Sequence, residues 1–411
     1  MSFDSVFEQV LTDIKDGKNV MLHGAGGVGK THLIKKLRDN VKKPMHLTST
    51  TGVSAFNVGD GCTTINSFAG VFTGDREPLY YVKKNRSNQK RLKIIKDTRL
   101  LVIDEVSMLG KKMLELIDIV FKAIRQDGRP FGGIQVLFSG DFFQLPPVKD
   151  KWCFTSKVWS DLAFCIHTLK KPQRHKADKS FFKMLMRIRE GKHKHRDLVS
   201  LQKRHIKYFE MSESDREKLP AVMLFPTNKN VDHYNNQRLD ELDGEKFPYT
   251  ATYSNKEAKK ASGCILNDII ILKKGAQVML TSNLDVSVGL VNGSTGIVTD
   301  CGKGYVCVEF VNGISHVIEC FEYIIDDEQN IKAWQIPLKL AWAISIHKSQ
   351  SATIPLVVID LGECFEKGQA YVALSRCGEM DGVYLTDFNP KSIKVDSLVL
   401  DFMGEKKNYR K

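Results

Sequence analysis

A chain of 411 residues exceeds what one core supports, about 250–300 residues, and a 42% hydrophobic content excludes a wholly disordered protein. The net charge of +13 points to a polyanionic partner, because Lys and Arg neutralise phosphates and release counterions, although a solvated surface can carry the same charge. Nine cysteines without a C-x-x-C pair argue against a zinc module or a disulfide framework, and neither a signal segment nor an apolar run of membrane length occurs, so an intracellular, soluble protein with no membrane partner is expected.

The first apolar strand, Val20–His23, runs into Gly24-Ala25-Gly26-Gly27-Val28-Gly29-Lys30-Thr31, which fits G-x-x-x-x-G-K-[ST] and leads into an amphipathic helix carrying Leu33, Ile34 and Leu37. Gly24, Gly26, Gly27 and Gly29 let backbone N–H groups close on phosphates at a helix N-terminus. Lys30 then reaches the β and γ oxygens and the Thr31 hydroxyl ligates Mg²⁺, so ATP is the expected ligand. A second strand, Met45–Thr48, follows. The polar, basic stretch Thr73–Thr98 reads either as an exposed loop or as an arm touching nucleic acid.

Leu100–Asp104 is a strand ending in Asp104 and Glu105. Asp104 suits Mg²⁺ held through water and Glu105 suits a base that polarises the attacking water, the alternative being an edge strand with solvated acids. The strand Ile134–Ser139 leads to Gln144, placed to contact the γ-phosphate beside Pro146-Pro147. Strands at Ala221–Pro226 and Leu356–Asp360 predict a second nucleotide-fold core. Between about Cys264 and Gln335, short strands with turns at Asn292-Gly293, Gly302-Lys303-Gly304 and Asn312-Gly313 predict a small inserted β-barrel. The end of the chain, from Glu405, reads as a frayed basic tail.

Gly140-Asp141-Phe142-Phe143-Gln144-Leu145-Pro146-Pro147-Val148 resembles the third motif of superfamily-one helicases in the Pif/RecD-like branch. Other segments match that branch in order: Ser49–Ala55, Thr64–Gly70, Leu169–Arg174, Leu224–Asn228, Leu272–Leu280, Gly289–Gly293, Ala343–Gln350 and Tyr371–Arg376. The resemblance implies an α/β fold of two RecA-like parallel-sheet cores, with an SH3-like barrel in the second and a wedge arm in the first. The implied boundaries are 1–165 for the first core with its arm at 73–98, 166–260 and 336–395 for the second, 261–335 for the barrel and 396–411 for the tail.

The resemblance further implies a monomeric, ATP-dependent 5′-to-3′ DNA helicase of replication, repair or recombination. It would act on single-stranded and tailed duplex DNA, alongside a single-strand binding protein or replisome component. Arg174 and Arg376 become the arginine fingers, reaching from the second core. Thr51 and Gly52 contact phosphate, Phe68 stacks on a base, Asn66 can donate a hydrogen bond to the DNA, and His347 and Lys348 contact the strand from the second core. Gln9 is placed to read adenine. Three positions depart from the pattern: Asn66 for histidine, His175 for glutamine and Ser351 for glycine. A translocase that remodels without unwinding, and a switch ATPase that binds DNA passively, remain the alternatives.

Overall fold

Along the strands of the N-terminal half, successive side chains pack into different clusters. Val20 and Leu22 of β1 (Val20–Gly24), Leu100 and Val102 of β4 (Leu100–Asp104) and Leu137 of β5 (Gln135–Gly140) face one cluster; Met21, Leu101, Ile103, Val136 and Phe138 face the other. Because residues along a strand alternate sides, burial of both sets requires a sheet covered on both faces, the normal state of a parallel sheet. The computed structural model describes residues 2–408 apart from 60, 73, 218, 220, 257, 260–265, 286 and 327–330.

The sheet has six parallel strands in the order β3-β2-β4-β5-β1-β6, completed by β2 (Met45–Ser49), β3 (Thr63–Thr64) and β6 (Cys165–Leu169). Helices α1 (Phe3–Lys15) and α2 (Lys30–Asn40) cover one face with Val6, Val10, Ile14, Leu33, Ile34 and Leu37. The other face is covered from α4 (Ile65–Ala69), α5 (Pro78–Ser87), α6 (Gln89–Asp97), α7 (Lys111–Arg125) and α8 (Lys157–Asp161). The short α3 (Gly52–Val58) follows β2, its Thr51 hydroxyl accepting the Ser54 N–H at 3.2 Å.

The chain divides into two compact units, residues 1–221 with 346–411, and residues 222–345. This division groups residues 166–221 and 346–395, the segments expected in a second core, with residues 1–165. The cause lies in specific contacts. Strand β6 pairs with β1 in parallel from Val20↔Cys165 to Gly24↔Leu169, so the first sheet continues past residue 165. Arg189 at the end of α9 (Lys179–Arg189) is ion-paired with Asp141 after β5. Helix α10 (His195–Glu210) lies on a later strand through Arg204, which donates to the Val383 carbonyl; α11 (Glu213–Glu217) precedes the second unit.

In the second unit, β7 (Val222–Phe225) leads into α12 (Asn228–Glu241), and the strands β8 to β17 pair antiparallel. Strands β8 (Phe247–Thr250) and β9 (Thr252–Tyr253) are followed by β10 (Ile269–Leu272), β11 (Gln277–Leu280), β12 (Thr295–Gly302), β13 (Tyr305–Phe310), β14 (Ser315–Glu319), β15 (Phe321–Asp326), β16 (Ile331–Gln335) and β17 (Leu338–Leu340). A five-stranded sheet runs β14-β13-β12-β11-β17, beside the pair β10-β8 and the triplet β15-β16-β9. Gly304 (φ 87°) and Gly313 (φ 81°) make the two hairpin turns around β13, where glycine alone enters the left-handed region cheaply. Leu272, Val278, Leu280, Val298, Val306, Val308 and Ile318 form the core. The start of the expected barrel, residues 261–265 including Cys264, lies outside the described residues. Strand β18 (Ala343–Ser345) pairs with β7 in parallel and closes the unit.

The first unit resumes with β19 (Val357–Leu361), α13 (Gln369–Leu374), β20 (Val383–Phe388), parallel to β19, and α14 (Ser397–Asn408). Two sequence expectations are corrected here. The basic stretch after Thr73, itself outside the described residues, is not an exposed loop: α5 and α6 bury Tyr81, Val82 and Ile95 against α7. The expected tail from residue 396 is helical to Asn408, because Val399 enters the main core and Phe402 stacks on Phe154 with ring centres 4.1 Å apart. Residues 409–411 lie outside the described residues. Among the described residues no helix is long and apolar enough to cross a membrane.

The C-terminal helix therefore contributes to stability. Phe402→Ala is expected to lower the unfolding free energy by about 2–3 kcal/mol, through lost burial and a partly collapsed cavity. Urea titration followed by circular dichroism measures this, and an unchanged midpoint would place the helix off the core.

Candidate functional site

In an open parallel sheet, loops at the carboxyl ends of the strands form the ligand crevice. Here those ends carry Gly24 after β1, Thr50 after β2, Asp104 and Glu105 at β4 and Gly140–Gln144 after β5. A cavity of about 360 Å³ lies among them, lined by Gly26, Gly27, Gly29, Lys30, Thr31, Ser54, Glu105, Gln144, Gln173, Arg174, Ser351, Thr353 and Arg376.

The phosphate loop turns through left-handed Gly27 (φ 75°) and Gly29 (φ 95°) before Lys30 starts α2. A Cβ on Gly27 would lie 2.7 Å from the Cβ of Arg174, so chain approach and φ both demand glycine. Lys30 donates to the carbonyls of Gly24 at 2.8 Å and Ala25 at 3.1 Å. The Thr31 hydroxyl, at the start of α2, donates to Oδ2 of Asp104, at the end of β4, at 3.2 Å, as two ligands of one metal ion would sit. Strand β4 lies between β2 and β5, so Asp104 is not a solvated acid on an edge strand. Burial first, then the Glu105 charge, pushes the Asp104 carboxyl up to about 6.

Glu105 turns out of the strand at φ 55°. Its Oε1 accepts from the Ser351 hydroxyl at 2.5 Å and its Oε2 faces the Gln350 amide at 3.4 Å. The same amide donates to Gln144 Oε1 at 3.0 Å. Gln144 is thereby held over the loop, its Nε2 3.4 Å from where a Cβ on Gly26 would sit.

Arg174 donates from Nε to the Thr353 hydroxyl and from Nη1 to the Ser375 carbonyl, both at 2.9 Å. Arg376 is 1% exposed and donates to the carbonyls of Val372, Ser349 and Ala352 and to the Ser375 hydroxyl. Among the described residues neither guanidinium has a carboxylate within 4 Å, so neither is the surface salt bridge that an isolated arginine suggests. Burial first, then the charge of Arg174, brings Arg376 down to about 9. Two buried cations, with Glu105 as the charge that acts on both, favour an incoming anion.

Sequence reasoning missed the buried network beneath the loop. The Gly26 N–H donates to Tyr371 Oη at 3.0 Å, and Tyr371 donates to Asp141 Oδ2 at 3.2 Å. Asp141 accepts from Arg189 Nε at 2.9 Å, while Arg189 Nη2 lies 2.9 Å from His23 Nε2. Burial opposes ionisation of Asp141, but the charge and hydrogen bonds of Arg189 outweigh it and hold its carboxyl below the usual range. Tyr371 and Asp141 fall inside motifs read from the sequence, yet Arg189 lies in none, and no local signal marks it.

The remaining expected residues are scattered. Gln9 is exposed on α1 and is absent from the cavity lining; Phe3, at the start of that helix, instead comes within 3.6 Å of where a Gly29 Cβ would lie. Phe68 is corrected to a core residue: it is 6% exposed, with its ring against His46 at 4.3 Å and Phe121 at 5.8 Å. Asn66 donates to the Phe72 carbonyl at 2.7 Å and so holds a turn. The aromatic left open is Phe72, 44% exposed at φ 43°, with Lys84 and Arg91 4.9 and 5.5 Å from its ring centre. Thr51 and Gly52 begin α3 half-buried, and His347 and Lys348 lie in the turn before Ser351.

A family model described as PIF1-like helicase matches residues 2–198, and one described as DNA helicase Pif1, 2B domain, matches residues 261–301. The chain is 37% identical over 418 residues to the ATP-dependent DNA helicase PIF1 of Xenopus laevis. That match covers 98% of this chain but 64% of the Xenopus protein, so this chain spans less than two thirds of that relative. Among solved structures, the Pif1 helicase from Candida albicans superposes with a TM-score of 0.86 at 31% identity, covering 100% of this chain and 99% of that one. The Bacteroides Pif1 helicase in complex with ADP-AlF3 and ssDNA gives 0.82 at 27% identity, covering 99% and 98%.

His175 lies beside this site, 1% exposed and packed against Phe181 and Phe182. Burial first, then the Arg174 charge, lowers it from the ordinary 6.5 to about 4. Above pH 6.5 the ring is neutral folded and unfolded. As pH falls toward 4 only the unfolded chain takes the proton, so stability is lost across that window, roughly 2 kcal/mol of it by pH 5. Unfolding titrations at pH 7.5 and 5 should therefore differ less for His175→Gln than for the parent protein, and an equal difference would remove His175 as the source.

Proposed function

This chain belongs to the PIF1-like helicase family, and we propose from that premise that it is an ATP-dependent DNA helicase, moving 5′ to 3′ on single-stranded DNA and unwinding duplex. The observation that carries the proposal is one cavity shared by a phosphate loop, the Glu105 carboxylate and the guanidiniums of Arg174 and Arg376. The ADP-AlF3 and ssDNA in the Bacteroides relative support a nucleotide and a DNA strand as the ligands. The net charge of +13 suits the second of these.

In this reading Lys30 leaves the Gly24 and Ala25 carbonyls for the β and γ oxygens of ATP, which the loop N–H groups cradle. Thr31 and Asp104 fit Mg²⁺, since a hydroxyl hydrogen-bonded to a buried carboxylate is a hard, all-oxygen donor set. That ion, when bound, supplies positive charge to the phosphate oxygens. Glu105 takes the proton of the attacking water, Gln144 contacts the γ-phosphate, and Arg174 and Arg376 offset the charge on the transferred phosphoryl group. The segments bearing those arginines then shift with the nucleotide state, which supplies the stepping motion.

On the DNA side, Thr51, Gly52, His347 and Lys348 contact the strand, and Phe72 rather than Phe68 offers a base a face to stack on. The pair α5–α6 serves as the strand-separating wedge, the sheets around residues 266–340 as an SH3-like DNA-gripping barrel, and the parallel sheets as RecA-like cores.

ATP hydrolysis with and without single-stranded DNA, followed by unwinding of duplexes carrying a 5′ or a 3′ tail, tests the proposal. Stimulation with unwinding from the 5′ tail alone is expected, and Lys30→Ala should abolish both while still binding DNA. Stimulation without unwinding would leave a translocase, and no stimulation a switch ATPase. Phe72→Ala is expected to weaken single-stranded DNA binding by about 5- to 100-fold, the worth of one stacked base, in fluorescence anisotropy. Unchanged affinity would return Phe72 to a local role.

A further inference from the structure

The backbone at Ser351 sits where a serine is strained. Its φ of 69° is in the left-handed region, where a Cβ crowds the chain and glycine does not. Such strain persists only where the surroundings over-determine it. Here the turn is fastened from three sides. The Ser349 hydroxyl donates to the Ile346 carbonyl at 2.8 Å, and the Ala352 N–H to the Ser349 carbonyl at 3.0 Å. Arg376 Nη1 donates to the carbonyls of Ser349 at 3.3 Å and Ala352 at 3.4 Å.

What the strained position delivers is a hydroxyl on a carboxylate. Ser351 Oγ donates to Glu105 Oε1, and Gln350 places its amide near Oε2 while bonding Gln144. Glu105 is itself left-handed, at φ 55°, so two non-glycine residues of unfavourable backbone meet through one side-chain hydrogen bond. A glycine at 351 would meet the backbone demand of this turn and provide no donor. The feature that distinguishes serine from glycine here is therefore the contact with Glu105.

We infer that Ser351 is a positioning residue for hydrolysis, its hydroxyl aiming the Glu105 carboxylate at the water that attacks the terminal phosphate. The inference rests on the proposed reading of Glu105 as general base. In the step, the water oxygen bonds to the γ-phosphorus as the bond to the ADP oxygen breaks, and the water proton passes to Glu105 and then to solvent. Restricting the carboxylate to one orientation raises the fraction of complexes ready for that transfer, so it acts on kcat rather than on ATP binding. Because Arg376 holds the same turn, the aim of the base depends on where that arginine sits.

Ser351→Gly removes the hydroxyl and the strain together; Ser351→Ala removes the hydroxyl and keeps a Cβ at the strained φ. Both are expected to lower DNA-stimulated kcat about tenfold or more, with KM for ATP within about twofold, while the Gly variant melts at or above the parent temperature and the Ala variant does not gain. In a Glu105→Gln background, Ser351→Gly should cost little further, because the partner it aims is already disabled. Rates that track melting temperature across the two variants, or an unchanged or raised kcat in Ser351→Gly, overturn the inference. Full turnover in Glu105→Gln overturns the general-base reading and this inference with it, whereas loss in Glu105→Gln beside a normal Ser351→Gly overturns this inference alone.

Discussion

The ion pair between Asp141 and Arg189 is out of water on both sides, and much of the first unit is arranged around it. Asp141 leaves the carboxyl end of β5 and Arg189 ends α9, so the pair ties a late helix to the sheet. Tyr371 extends it to α13 and the Gly26 amide, His23 to the end of β1, and the Phe143 ring lies 4.2 Å beneath the guanidinium. A buried pair gains little over an apolar substitute, but losing one partner costs about 3–5 kcal/mol because the other charge is stranded. The network therefore specifies a geometry more than it adds stability. That geometry sets the phosphate loop against the segments that carry Arg174 and Arg376.

Burial disfavours two of the charges around the cavity above, and the chain's own carbonyls take up a third. Asp104 is pushed up to about 6 and Arg376 down to about 9, while Lys30 satisfies itself on carbonyl oxygens. Opposite shifts with burial as the leading cause describe charged groups held out of water. In the proposed reading a polyphosphate with its divalent cation relieves all three at once, which is the physical sense of preorganisation: the protein has already met the cost of desolvating these groups. Ser351 and Gln350 restrain the remaining charge, Glu105, before any substrate is present.

Two phenylalanines four residues apart illustrate how burial separates function from packing. Phe68 lies on α4 facing α7, and His46 and Phe121 take both of its available contacts. Phe72 follows the left-handed Gly70 at the end of that helix, and its own positive φ turns the ring outward between Lys84 and Arg91. Composition could not tell them apart, since both are phenylalanines within one short segment that has no charged residue. The turn decides which ring reaches solvent, and Asn66 holds that turn through the Phe72 carbonyl.

By itself the sequence determined what is local. A glycine loop between an apolar strand and an amphipathic helix, a strand ending in two acids, and hairpin turns at Gly304 and Gly313 are signals spread over at most about a dozen residues, and backbone sterics with strand or helix periodicity make them legible. The motif order also carried the family. Tertiary structure alone decided where distant segments meet. It closed β6 onto β1, brought α9 and α13 under the loop, folded the basic end of the chain into a helix on the core, and moved Phe68 out of the role its motif suggested. The partners of Asp141, Glu105 and Gly26 are 48, 246 and 345 residues away, and no periodicity in a sequence reports contacts at that separation, because they are selected by the burial of many side chains together.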